Sequence, residues 1–255
     1  MLDPVFLELG PLTIRWYALL IGLAFVIGIL MTFSESKRQG IDPEFFLDFF
    51  LLAIPLGIIG ARLYYVIFHW QRYSGDFTRL FAIWEGGLAI HGGVIAGAII
   101  LVIMAYRRRV NFWQATDILA PPLALGETIG RWGNFFNQEA FGQPVSEEFI
   151  SYFPEFIQQQ MYIQGQYRNP TFFYASVWNL LILVFLLWLR RRDFIKQGDV
   201  FLSYIISYSV GRFFIEGMRI DSLMLGPLRV AQVVSVLLII LGVIFIYYQH
   251  KEKGA

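Results

Sequence analysis

Seven stretches of this chain are almost wholly apolar and close to the roughly 20 residues that a helix needs to cross a bilayer. They run Leu12–Phe33, Phe46–Phe68, Gly87–Tyr106, Trp113–Ile129, Thr171–Leu189, Val200–Ile215 and Val230–Tyr248. In lipid every backbone polar group must be paired within the protein, so helices of this length are the structures such stretches can form. The pattern predicts an all-α integral membrane protein with seven transmembrane helices. Composition agrees: charged residues make up 15% of the chain, and mean hydropathy is +0.57. A soluble domain carries about 25% charge. The first stretch is too long for a signal-peptide core and is expected to remain as a helix. The fourth contains Pro121-Pro122 and is expected to be kinked or broken there.

The basic residues order these spans. Lys37, Arg38, Arg107, Arg108, Arg109, Arg190, Arg191, Arg192, Lys196, Lys251 and Lys253 cluster in alternate connections, and the other basic residues are scattered singly. By the positive-inside rule the N-terminus lies outside and the C-terminus in the cytoplasm. Residues 1–255 then read as a single polytopic membrane domain. Its longest connection, residues 131–170, forms a small extracytoplasmic cap rich in aromatic residues.

Polar motifs gather towards the outer ends of the spans. Residues 130–142 place Arg131, Asn134, Asn137, Gln138 and Glu139 among three glycines, where a helix leaves the bilayer or dips back into it. Polar groups at membrane depth are costly and usually serve a site; a polar loop with one snorkelling arginine is the plainer alternative. His91 stands between Gly86-Gly87 and Gly92-Gly93 in an apolar run. It is either a packing residue or a group for proton transfer near neutral pH. Tyr208, Arg212, Glu216 and Arg219 lie within roughly 80° of one another around a helix. Arg212 and Glu216 can pair on that face, and the second arginine leaves it net positive, suited to an anion such as phosphate. Arg15-Trp16-Tyr17, Arg62, Gln232 and Ser235 are weaker signals of the same kind.

Other chemistries lack their residues. There is no cysteine, hence no disulfide framework, thiolate metal site or cysteine nucleophile. No Gly-x-Ser-x-Gly, His-Glu-x-x-His or P-loop motif occurs, and the three histidines are scattered, so no metal and no cofactor is expected. No basic patch interleaved with aromatics suggests nucleic acid. Arginines for phosphate, a histidine or tyrosine for proton transfer and glycines for access fit a reaction on a phospholipid headgroup, with the nucleophile supplied by a second substrate.

Gly87-Leu88-Ala89-Ile90-His91-Gly92-Gly93, the run from Gly130 to Glu139, and Tyr208-x-x-x-Arg212-x-x-x-Glu216-x-x-Arg219 together closely resemble the bacterial prolipoprotein diacylglyceryl transferase family. The resemblance covers nearly the whole chain and extends to the seven spans and the outward N-terminus. It implies an enzyme of the bacterial cell membrane. Such an enzyme moves the diacylglyceryl group of phosphatidylglycerol to the lipobox cysteine thiol of a preprolipoprotein and releases glycerol phosphate. Residue by residue it implies that His91, Arg131, Arg212 and Tyr17 are catalytic. It implies that Arg131, Asn134, Glu139, Gly142, Tyr208, Arg212 and Glu216 bind phosphatidylglycerol. One position departs: members commonly carry Glu after the tyrosine that follows the cap, where this chain has Tyr174-Ala175.

In the expected mechanism the thiolate attacks the glycerol carbon bearing the phosphate ester, and Arg131 and Arg212 stabilise the departing phosphate. His91 is the first choice for the base, with Tyr17 or Glu139 as alternatives. The rival reading is a transporter or flippase for an anionic lipid. It predicts an internal repeat and midplane polar groups, whereas this chain shows no repeat and its motifs favour one side.

Overall fold

A computed structural model describes residues 3–10, 12–73, 77–83 and 86–251. Among them it is mostly helical: α1 (Trp16–Arg38), α2 (Pro43–Phe68), α3 (Ile90–Arg108), α4 (Phe112–Asn137), α5 (Glu147–Ile150), α6 (Glu155–Gln160), α7 (Thr171–Leu189), α8 (Asp199–Met218) and α9 (Val230–Lys251). Three short antiparallel hairpins accompany them: β1 (Val5–Leu9) with β2 (Leu12–Arg15), β3 (Tyr162–Ile163) with β4 (Gln166–Tyr167), and β5 (Met224–Leu225) with β6 (Leu228–Arg229).

Five helices, α1, α2, α3, α7 and α9, are long and apolar enough to cross a membrane. The other two expected spans, α4 and α8, have the length, at 26 and 20 residues, but not the apolarity. Asp117, Glu127 and Arg131 interrupt one, and Asp199, Arg212 and Glu216 the other. Helix α4 corrects two expectations. It runs without a break through Pro121-Pro122, held by the burial of Pro121 and by Ala120 and Ala124 in a core shared with α7 and α8. It also continues eight residues past Ile129, so Arg131 and Asn134 stand on its last two turns rather than in a loop.

The chain divides into two compact units, residues 32–115 and residues 1–31 with 116–255. In the first, α2 begins at Asp42, whose carboxylate caps the Glu44 amide at 2.9 Å, with Pro43 in the first turn, where its missing N–H costs nothing. Helices α2 and α3 then meet backbone to backbone. A Cβ added at Gly60 would lie 2.7 Å from the Gly92 carbonyl oxygen, and one at Gly92 would run into the Gly60 carbonyl. Small residues at such a crossing let helices pack by close van der Waals contact where lipid removes the hydrophobic drive.

The loop before α3 is fastened by Arg62, which is 5% exposed inside α2. Its Nε donates to Leu80 O at 2.9 Å, its Nη1 to Gly86 O at 2.6 Å and Gly87 O at 3.1 Å, and its Nη2 to Arg79 O at 2.5 Å. The guanidinium also lies 5.2 Å from the Tyr73 ring. Arg62 is therefore committed to the loop backbone.

In the second unit two cores follow one another along α4. Ala120 and Ala124 pack with Ile182, Leu183 and Leu186 of α7 and Val200 and Tyr204 of α8. Beyond them Phe135 packs with Ile150, Ile157, Met161, Ile163 and Phe172, which gives the long connection its own aromatic interior. Gln160, buried within it, donates to the Phe135 and Phe136 carbonyls, both at 3.3 Å, satisfying groups that the helix end leaves free. The stretch after α4 is tied on both sides: Gly142 N donates to Asn169 O at 2.9 Å, and Gln143 N donates to Met218 O at 3.2 Å.

Candidate active site

The second unit brings most of the sequence-predicted polar residues together. Arg131, on the penultimate turn of α4, pairs through Nη2 with Glu127 Oε2 at 2.6 Å, one turn earlier. The Tyr208 hydroxyl of α8 is within hydrogen-bonding reach of the same guanidinium. Arg212, one turn on from Tyr208, pairs through Nη2 with Glu216 Oε2 at 2.8 Å, and the Glu216 side chain is 4% exposed. Arg131, Tyr208 and Arg212 line one cleft with Ala175, Trp178, Asn179, Gly211 and Ile215. Among the described residues, Arg131 Nε and Asn179 Oδ1 are buried without hydrogen-bond partners. A buried polar atom without a partner is costly, and the penalty is recovered when a ligand supplies the partner.

The helices approach closely around this cleft for local reasons. Gly211 lets the Trp178 indole lie against α8, where any side chain would strike it, and Trp178 Nε1 donates to Ser207 O at 2.9 Å. Gly133 does the same on α4 for Tyr17, whose ring occupies the place of a Cβ. Tyr17 feels the charges of Glu139, Glu127 and Arg131, so it joins the same electrostatic neighbourhood.

Asn134 and Glu139 form a smaller group at the end of α4. Asn134 Nδ2 donates to Glu139 Oε1 at 3.0 Å, and Asn137 Nδ2 reaches the same oxygen at 3.3 Å. Gly142 has a packing role: a Cβ there would sit 2.8 Å from Asn169 Cβ and 3.0 Å from Met218 O. Arg219, counted from sequence as the spare positive charge on the α8 face, is taken by Asp221, with Nε to Oδ1 at 2.9 Å and Nη2 to Oδ2 at 2.7 Å. Arg219 caps the helix end, so that face carries one fewer cation than the spacing suggested.

His91 belongs to the other unit, on the first turn of α3. Its side chain is exposed, and its ring stacks on Tyr64 with centroids 5.9 Å apart. The glycines beside it have a separate purpose, since Gly92 and Gly93 make the contact with α2. Arg62, a weaker candidate from sequence, has its donors in the loop backbone and is structural.

Residues 4–248 match the family described as prolipoprotein diacylglyceryl transferase. The chain belongs to the prolipoprotein diacylglyceryl transferase family. It is 52% identical, over 99% of its length and 88% of the relative's, to a protein of Halalkalibacterium halodurans named phosphatidylglycerol–prolipoprotein diacylglyceryl transferase. A Streptococcus pneumoniae protein of the same name is 50% identical over 100% of this chain and 97% of its own.

Two residues of this prolipoprotein diacylglyceryl transferase family member escaped the sequence reading: Asn179, which lines the cleft, and Glu127, the ion-pair partner of Arg131. Glu127 was placed in an apolar span ending at Ile129. Its four-residue spacing from Arg131 would have marked the pair once the helix was drawn through Asn137. Asn179 carried a weaker signal, as a lone amide in the middle of the apolar α7.

Proposed function

We propose that this protein transfers the diacylglyceryl group of phosphatidylglycerol to the lipobox cysteine thiol of preprolipoproteins, the first step of lipoprotein maturation. The observation that carries this reading is the cleft in which Arg131 and Arg212 stand with Tyr208, with one arginine's Nε buried and unpartnered among the described residues. The described residues that line it include two arginines and no acid, which suits an anion, and the names of its relatives state the matching reaction.

In the reaction the substrate thiol loses its proton to a base, and the sulfur attacks the glycerol carbon that bears the phosphate ester. A carbon–sulfur bond forms as the carbon–oxygen bond breaks. The electron pair leaves with the phosphate, which departs as glycerol phosphate. Charge grows on that phosphate in the transition state, where Arg131 and Arg212 donate to it in an environment of low dielectric. Tyr208 steadies Arg131, Glu216 steadies Arg212, and Asn134 with Glu139 orients the headgroup. His91 is the base in this reading, with Tyr17 and Glu139 as the alternatives; Tyr17 gains weight from its place beside Arg131.

The protein spans the bacterial cell membrane seven times, α4 and α8 included, with the N-terminus outside. These two helices tolerate their polar residues because their partners lie within the bundle. Residues 131–170 form the outer cap, and lipid enters sideways between helices.

Incubating the purified protein with labelled phosphatidylglycerol and a lipobox peptide tests the reaction, with the thioether read by mass spectrometry. A peptide that stays unmodified while lipid crosses the membrane would move the protein to the transporter class. Because the chain has no cysteine, a single cysteine placed at Gln158 tests the topology. Labelling from the outer side is expected, and labelling only from the cytoplasm would overturn it.

A further inference from the structure

Glu127 has no part in the reaction as derived so far, yet it pairs with Arg131 at 2.6 Å. The geometry points to Glu127 as the positioning residue of the phosphate-binding arginine, a carboxylate on α4 serving a cleft whose described α7 lining, Ala175, Trp178 and Asn179, brings no acid. This inference rests on the proposed transfer reaction.

The pair is shielded, with the two side chains 17% and 25% exposed, so its attraction is not screened away as at an open surface. Only one edge of the fork is taken. Nη2 meets Glu127, the Tyr208 hydroxyl approaches from α8, and Nε has no partner among the described residues. A long side chain free in such a cleft would spread over many rotamers, and fixing it beforehand lowers the cost of catching a transferring phosphate. The carboxylate also takes up the charge of the arginine until lipid arrives, since a lone buried cation is costly.

The opposite wall explains why the carboxylate stands where it does. Ala175 lines the same cleft as Arg131. Its neighbour Ser176 donates to Thr128 O at 2.9 Å and accepts from Trp132 Nε1 at 3.1 Å. Residues 175 and 176 of α7 therefore run directly against the turn of α4 that carries Glu127 and Arg131. A longer acidic side chain at position 175 would approach the same guanidinium from the facing helix.

The test is a reciprocal exchange. E127Q keeps the size and helix propensity but removes the charge. It is expected to lower kcat by about tenfold or more, while the KM for phosphatidylglycerol stays level or falls, because the headgroup no longer competes with a built-in anion. E127Q/A175E is expected to recover most of the lost kcat. A pair that only stabilised α4 could not be restored from α7. Thermal unfolding in detergent establishes that each variant is folded. If E127Q does not fold, E127A/A175E carries the test, with at least about a tenth of wild-type activity expected and anything lower counting against it. Wild-type kcat in E127Q, or a folded double variant no better than the single one, overturns the role of Glu127 alone. A wild-type protein that modifies no peptide overturns the transfer reaction, and this role with it.

Discussion

Arg62 and Arg131 look alike in sequence: each is a single cation inside a long helix, with a glycine one or two positions before it. Their surroundings differ. Arg62 spends its donors on four backbone carbonyls of the loop that leads into α3. Arg131 meets one carboxylate and one tyrosine at the edge of a cleft, and its Nε is buried without a partner among the described residues. Both are shielded, so burial does not tell them apart. What separates them is whether the protein completes the hydrogen bonding of the guanidinium. The completed fork of Arg62 holds the loop, and the incomplete one of Arg131 is what the proposed function assigns to the lipid phosphate.

Lysine substitution should break the symmetry most sharply. Arg131→Lys and Arg212→Lys keep the charge and lose the planar fork. Each is expected to cost about a hundredfold in diacylglyceryl transfer, near 3 kcal/mol of transition-state stabilisation, with the unfolding temperature close to wild type. Steady-state rates with labelled lipid measure this, and full activity in both would end the phosphate-clamp interpretation. The opposite pattern is expected of Arg62→Ala. It should lose about 2 to 3 kcal/mol of stability as the loop carbonyls lose a charged donor, while the folded fraction keeps its activity. Equilibrium unfolding in detergent and limited proteolysis of the 69–89 loop read this out, and an activity loss without destabilisation would place Arg62 in the site. Gly92→Ala presses a methyl into the Gly60 carbonyl. It should destabilise the α2–α3 pair by about 1 to 3 kcal/mol through overpacking, and a neutral result would show that this crossing yields easily.

The smallest effect concerns a third arginine. Arg219 gives its fork to Asp221 and holds that carboxyl below the usual carboxylate range. A lowered pKa in the folded state contributes stability above the unfolded value, near pH 4, and the contribution is lost as pH falls through the lowered pKa. Asp221 is 48% exposed, so screening keeps the contribution under about 1 kcal/mol. Asp221→Asn should be slightly less stable than wild type at pH 7, and the two should converge in acid.

The spans were legible because lipid imposes one rule on all of them. Thr171–Leu189 was bounded correctly from apolarity alone, the six other expected helices differ mainly at their ends, and the short α5 and α6 were not foreseen. The polar ends of α4 and α8 were harder. Hydropathy marks where a helix stops being greasy, not where its hydrogen bonding stops, so the turns carrying Arg131 and Asn134 read as loop. The same boundary hid Glu127. The fate of Arg219 was hidden for another reason, since the face of a helix says nothing of an acid three residues beyond its end. Nor did spacing reveal why Gly133 and Gly211 are glycines. Each accommodates an aromatic ring from an element distant in sequence, Tyr17 in one case and Trp178 in the other.

The short segment after α4 is stitched to two places at once. Gly142 and Val145 bond to Asn169 and Tyr167, just before α7, and Gln143 bonds to Met218 at the end of α8. Mechanically this is a yoke. A force on the aromatic connection is delivered through Met218 to the turn that carries Glu216, and from Glu216 to Arg212.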